Sequence, residues 1–336
     1  MKSILITLLI FAVIILIHEG GHFTAAKLCG VKVNEFSIGM GPSLFHFGKG
    51  ETRYSLRLFP IGGYVSMEGE DDSSSDPRAF CAQPVWKRII IVCAGAIMNL
   101  ILGFVIVLAL TAPKEKLAST TVTQFIDGAS TQSTGLQEGD QILSINGRSI
   151  WVESDIIYAL SSDKDGIVDM EVRRNGERTA LKNVAFTIED GTLMIDFKVV
   201  GIPRTVGSVL SYSFRKTASI GRLVWISIGQ LITGKASIND LSGPIGTAQA
   251  VGQASKAGLS TVMNLFAFIT VNVGIFNLLP IPALDGGRLI FLLIELIVRR
   301  RVNPKYEAYV HFAGFILVFG LIIFVSFHDI VNLIHG

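Results

Sequence analysis

A polytopic α-helical membrane protein, with four transmembrane helices, a membrane-associated β-hairpin and one β-rich extracytoplasmic domain, is the fold class that this sequence predicts. Three observations point to it. Half of the 336 residues are hydrophobic, 17% are charged and the mean hydropathy is +0.53, too apolar for an ordinary soluble chain. Four apolar stretches are long enough to cross a bilayer. Between the second and third lies a segment of short alternating runs separated by turn signals such as Asn146-Gly147 and Asn175-Gly176.

The N-terminal membrane part covers residues 1–112. Its first span runs from about Ile4 to Leu28. Lys2 followed by an apolar run is also how a secretory signal begins, but no small-residue cleavage site comes next, so the span is expected to be retained. What comes next is His18-Glu19-Gly20-Gly21-His22. Ionisable side chains inside an apolar span are costly and mark function. Positions i and i+4 share a helix face, so His18 and His22 can offer imidazole nitrogens to one Zn²⁺, with Glu19 beside the water that the metal activates.

Residues 31–65 alternate, as in Arg53-Tyr54-Ser55-Leu56-Arg57-Leu58-Phe59, and are glycine-rich; they read as a β-hairpin dipping into the membrane beside the motif. Residues 66–87 form a cytoplasmic loop whose acidic, serine-rich stretch from Glu68 to Arg78 is expected to be mobile. The second span, 89–112, carries no charge and one amide, Asn99, which faces either the motif or a neighbouring helix.

The β-rich domain occupies 117–200. Its stretch Gly135-Leu136-Gln137-Glu138-Gly139-Asp140-Gln141-Ile142-Leu143-Ser144-Ile145-Asn146-Gly147 resembles the signature of PDZ domains, which bind extended peptides by strand addition. The alternative is a β-domain that only limits access to the membrane part. Residues 201–261 form a membrane-surface segment, in which 206–232 is apolar but interrupted by Arg215, Lys216 and Arg222, as in an amphipathic helix lying on the membrane.

The C-terminal membrane part covers 262–336. Its third span, 262–298, is broken by Asn277-Leu278-Leu279-Pro280-Ile281-Pro282, which cannot be continuous helix. Non-helical backbone at membrane depth needs protein or a water-filled cavity around it, so the break is itself a site signal. The fourth span, 308–327, carries only His311 near its start.

Basic residues orient the chain. Lys27, Lys32, Lys87 and Arg88 flank the connection between spans one and two, and Arg299, Arg300, Arg301 and Lys305 fill that between spans three and four; both are expected on the cytoplasmic side of the cell membrane. Residues 113–200, with nine Lys/Arg against fourteen Asp/Glu (9 − 14 = −5), then lie outside.

A catalytic zinc takes three protein ligands. Asp285, in Leu284-Asp285-Gly286-Gly287, is the obvious third: it is the one carboxylate between Asp240 and Glu295 and directly follows the broken segment. His18 and Asp285 are both expected at the inner half of the bilayer. The chemistry expected is hydrolysis, with Glu19 taking a proton from water and delivering it to a leaving amine. A helical substrate must be unwound first. Asn272 and Asn277 could bond its exposed backbone, or bond their own broken helix instead, and the hairpin could supply an edge strand.

Other residues point elsewhere. Glu295 is expected to pair with Arg299 at i+4, and His46, His328 and His335 lack ligand spacing. Cys29, Cys81 and Cys93 suggest neither a disulfide framework nor a thiolate site. A net charge of +2 without a dense basic stripe argues against a nucleic-acid partner. A PDZ-type membrane scaffold with a structural metal is the main alternative, disfavoured because a structural site has no need of Glu19. A transporter would require an inverted repeat, and none is visible.

Together, His18-Glu19-Gly20-Gly21-His22, Gly62-Gly63-Tyr64-Val65, Ser242-Gly243-Pro244-Ile245-Gly246 and the run from Asn277 to Gly287 resemble the site-2 protease family of intramembrane zinc metalloproteases, most nearly its bacterial single-PDZ branch, the regulator of sigma-E protease type. The resemblance covers essentially the whole chain. It implies His18, His22 and Asp285 as zinc ligands, Glu19 as catalytic, and Asn277 with Asn272 as substrate-binding. It also implies single-pass membrane proteins as substrates, such as anti-sigma factors already trimmed outside and leftover signal peptides.

Overall fold

The computed structural model describes residues 2–48, 50–70, 74–161, 163, 165–189, 192–234 and 243–335. The chain divides into two compact units, one made of residues 1–106 and 223–336, the other of 107–222.

The first unit begins with helix α1 (Lys2–Leu28), strands β1 (Val33–Phe47) and β2 (Arg53–Met67), and helix α2 (Val85–Thr111). Among the described residues, four helices are long and apolar enough to cross a membrane: Ser3–Leu28, Val85–Thr111, Leu259–Leu278 and Lys305–Val331. In lipid a backbone must satisfy its own polar groups, which is why such apolar runs become helix. Glycines let the helices touch: a methyl added at Gly21 would stand 2.6 Å from Ala94 O, and one at Gly274 would stand 2.9 Å from Ala96 O.

The hairpin of β1 and β2 is antiparallel, and bulges bend both strands. Residues 33–38 consequently pair on one side with 63–67 and on the other with 53–56, and 43–47 pair back onto 54–57. Gly39, Gly41 and Gly62, at φ of 85°, 87° and 85°, supply the left-handed backbone where the strands turn. Beyond the hairpin, the described part of the expected mobile loop is tied down. Glu68 N–H donates to Lys32 O, Phe80 N–H to Glu68 O, and the Glu68 carboxylate accepts from Ser74 Oγ (2.7 Å) and Asn34 Nδ2 (3.1 Å). Asp71 and Asp72 lie outside the described residues.

The second unit holds β3 (Lys116–Phe125), α3 (Ser130–Ser133), β4 (Gln141–Ile145), β5 (Arg148–Ser149), α4 (Glu153–Ser161), β6 (Ile167–Arg174), β7 (Glu177–Ala185), β8 (Ile188–Glu189), β9 (Thr192–Leu193) and β10 (Phe197–Pro203). Its main sheet has the order β10-β3-β4-β6-β7, with β5 paired to β4. Alternate residues Val168, Met170 and Val172 of β6 are buried against Ile142 and Ile145 of β4. Asp140 of the Glu-Gly-Asp loop is fully buried, accepting from Gln137 N–H at 2.9 Å and from Arg174 Nε at 2.8 Å.

Helix α5 (Val206–Ile232) follows. Two of the three cations that interrupt its apolar run meet carboxylates of α4: Arg222 lies 3.1 Å from Asp155 and Lys216 lies 3.7 Å from Glu153. Arg222 also stacks on Trp151, 4.3 Å from the ring centroid. These charges therefore bind α5 to the β-rich domain as well as breaking its hydrophobicity.

The chain closes with α6 (Pro244–Ala257), α7 (Leu259–Leu278), α8 (Asp285–Val298) and α9 (Pro304–His335). Within the segment 201–261 expected at the membrane surface, α6 packs into the helical unit. Val251 of α6 is fully buried with Ile10 and Ile14 of α1 and Ile269 of α7, and Gly246 N–H donates to the buried Asp329 of α9 at 2.9 Å. Small residues (PIGTAQAVGQASKA) allow this close packing where composition alone suggests an interface. Ser242 lies outside the described residues.

The expected pair of Glu295 with Arg299 does not form. Arg299 caps α8 in the left-handed conformation (φ 58°), which takes it off the i+4 face. Glu295 instead forks onto Arg88 of α2, at 2.6 and 3.0 Å, with side chains 12% and 8% exposed. Arg301, more than half exposed, also lies 3.7 Å from Glu295. Removing Arg88 leaves the buried carboxylate, among the described residues, only that exposed partner, so Arg88→Leu should destabilise the protein by about 3 kcal/mol, and Arg88→Leu with Glu295→Leu by much less. Thermal unfolding in detergent measures both; equal losses in the two variants would refute the pairing.

Candidate metal centre

The centre is built where α1, α2 and the start of α8 meet. His18 and His22 sit one turn apart on α1 with their Nε2 atoms 3.2 Å from each other. Asp285 opens α8, and its Oδ2 lies 3.1 Å from His18 Nε2 and 3.3 Å from His22 Nε2. Tetrahedral zinc holds ligands at about 2.1 Å, which places them roughly 3.3–3.4 Å from one another. The three observed separations fit that triangle. Asp285 Oδ2 is buried and makes no hydrogen bond of good geometry. An uncompensated carboxylate oxygen aimed at two imidazole nitrogens is the arrangement a cation would satisfy.

Helix α2 forms the floor. His22 Nδ1 stands 2.8 Å from Ile91 O, His18 Nδ1 stands 3.2 Å from Asn99 Nδ2, and between these two contacts lies Gly95. A methyl at Gly95 would lie 2.3 Å from His22 Nε2 and 2.9 Å from His18 Cε1. Residues 91, 95 and 99 recur every four positions and so share one face of α2. The open question over Asn99 is thus answered: it faces the histidines.

The broken span delivers Asp285. Helix α7 ends at Leu278, and Ile281 N–H bonds Leu279 O (2.7 Å) before Leu284 N–H bonds Ile281 O (3.2 Å). Ala283 takes a left-handed φ of 77°, and its N–H donates to His311 Nδ1 of α9 at 3.1 Å. His311 thereby satisfies backbone that the break frees, a role that its place in an otherwise apolar span does not reveal. Gly286 and Gly287 admit the returning chain: added methyls would meet Leu279 O at 2.0 Å and Ile281 O at 2.6 Å.

Glu19 is partly buried, and the strand 63–67 runs beside it, with Gly63 placed so that a methyl there would be 3.1 Å from Glu19 Cγ. A cavity of 190 Å³ includes His18, Glu19, His22, Asp285, Tyr64, Glu70 and Arg288 in its lining. The Glu70 carboxylate accepts from the Arg288 guanidinium, joining the 66–87 segment to α8 at the cavity wall. Tyr64 accepts from Arg57, and burial together with the Glu35 carboxylate pushes its phenol above the usual range. Asn272 and Asn277 are not in this cluster. Each donates Nδ2 to its own helix, to Phe268 O at 2.7 Å and to Val273 O at 2.9 Å. His46 is exposed, and Cys29, Cys81 and Cys93 are free thiols.

Residues 6–321 match the family model described as peptidase family M50. The chain is 37% identical over 332 residues to a protein of Clostridium perfringens named as a candidate zinc metalloprotease, with 98% of each chain covered. It is 29% identical to the zinc metalloprotease RasP of Bacillus licheniformis (99% of this chain, 100% of the relative), and 28% identical to the regulator of sigma-W protease RasP of Bacillus subtilis (99% of each). Four membrane-length helices and these relatives define a multi-pass membrane metalloprotease. The chain belongs to peptidase family M50, the site-2 protease family, and its cofactor is zinc.

Proposed function

We propose that the protein is an intramembrane endopeptidase that cuts single-pass membrane proteins within or near their spans, with His18, His22 and Asp285 as zinc ligands and Glu19 as general base. The observation that carries this reading is the strand 63–67, which passes Glu19 beside the three converging ligand atoms and has one strand neighbour among the described residues. An unwound substrate segment added along its other edge would lay a backbone carbonyl beside the cluster. When bound, zinc supplies Lewis acidity to a carbonyl oxygen and to water. Glu19 takes the proton of the attacking water and returns it to the leaving amide nitrogen. Asn272 and Asn277 spend their N–H groups on their own helix, and each keeps an Oδ1 that can accept a substrate backbone N–H.

The placement follows from charge. Basic connections after spans one and three support a chain in the cytoplasmic membrane with its active site toward the cytoplasm and residues 117–200 outside. The buried loop around Asp140 supports a PDZ-like reading of that domain, which would hold the exposed peptide ends of substrates. A relative named regulator of sigma-W protease supports anti-sigma factors as one substrate class; signal-peptide remnants are the other class proposed.

The test is cleavage of a single-pass reporter in proteoliposomes containing the purified protein and zinc, with product termini mapped by mass spectrometry. New termini inside or within a few residues of the apolar span are expected. Termini confined to the soluble flanks would overturn the intramembrane reading.

A further inference from the structure

The two histidines of the centre are oriented by different kinds of group. His22 Nδ1 faces Ile91 O at 2.8 Å. A carbonyl oxygen can only accept, so Nδ1 of His22 carries its proton and Nε2 presents a lone pair, the tautomer a metal ligand needs. His18 Nδ1 faces the side-chain amide of Asn99, whose Nδ2 is 3.2 Å away. An amide nitrogen donates, which would put the His18 proton on Nε2, the atom aimed at Asp285 and His22. Asn99 is 0% exposed, and its Oδ1 is buried without a hydrogen-bond partner.

A half turn of the amide exchanges its oxygen and nitrogen and requires no movement of α2. The backbone is pinned independently, because Thr270 Oγ1 donates to Asn99 O at 3.2 Å. With Oδ1 on His18, the imidazole donates from Nδ1 and frees Nε2, so both histidines reach the same tautomer from one face of α2. We propose that Asn99 is a positioning residue that fixes the metal-binding tautomer of His18 through its side-chain oxygen, as the Ile91 carbonyl does for His22. The proposal rests on His18 being a zinc ligand.

An asparagine can satisfy His18 with only one end of its amide at a time, whereas an aspartate offers an acceptor at both ends. Zinc affinity of the full-length protein in detergent, measured by competition with a chelating dye, separates the roles. Asn99→Asp should bind zinc at least as tightly as the parent, Asn99→Leu about 10- to 100-fold more weakly, and His18→Ala more weakly still. A purely structural role would make the isosteric Asp and Leu variants fail together. If Asn99→Leu matches the parent while His18→Ala loses the metal, the positioning role is wrong and the ligand reading stands. If His18→Ala binds as well as the parent, the ligand reading itself fails, and this inference with it. Histidine ring ¹⁵N spectra of the zinc-loaded parent supply a measurement that needs no variant: a proton on Nδ1 of His18 is expected, and a proton on its Nε2 would overturn the proposal.

Discussion

Glu19→Gln should lower the rate of reporter cleavage by roughly 10²- to 10⁴-fold while leaving zinc content and thermal stability close to those of the parent. The substitution keeps the side chain's size beside Gly63, where a methyl would already stand 3.1 Å from Glu19 Cγ, so the strand beside it is undisturbed. What it removes is the carboxylate proposed to take the water's proton, because an amide oxygen is too weak a base for that transfer. The readout is the rate of product formation in proteoliposomes at saturating zinc. Cleavage at the parental rate would remove Glu19 from the mechanism, and loss of zinc together with activity would move it into the ligand set.

Gly95→Ala is expected to abolish zinc binding. The effect runs against local propensity, since alanine favours a helix interior over glycine by about 1 kcal/mol. The added methyl would stand 2.3 Å from His22 Nε2 and 2.9 Å from His18 Cε1, between the two rings proposed to hold the metal. Neither ring can retreat cheaply: His22 is held at Ile91 O and His18 at Asn99. Metal analysis of the purified variant should show zinc far below one equivalent, with the fold retained in thermal unfolding. One equivalent of tightly held zinc would mean that the rings do not occupy these positions.

Much of this arrangement is legible in the sequence, and the parts that are not share a physical reason. His18 and His22 are legible because helical spacing alone puts them on one face, and Asp285 because carboxylates are scarce in apolar spans and it follows two prolines. The hairpin is legible from alternation, although its bending into a four-row arrangement depends on glycines at φ near 85°, which pattern does not show. Ile91, Gly95 and His311 are invisible at that level. Ile91 acts through a backbone carbonyl, Gly95 through lacking a side chain, and His311 through a bond to a distant backbone N–H, so none has a residue type that advertises its work. For Glu295, sequence favours Arg299 on the same helix, whereas its partner Arg88 comes from a helix about 200 residues earlier in the chain. Residues 244–257 fall within the segment expected at the membrane surface, and their small residues allow close helix packing.

The division of the centre between distant parts of the chain has a consequence for its biosynthesis. Both histidines, Glu19 and the supporting face of α2 are made within the first 99 residues, but Asp285 emerges from the ribosome 285 − 22 = 263 residues after His22. On the roles proposed above, a nascent chain until then carries His18, His22 and Glu19 without the third ligand that a catalytic zinc requires. On the proposed roles, the site is completed last, when Asp285 at the start of α8 joins the two histidines.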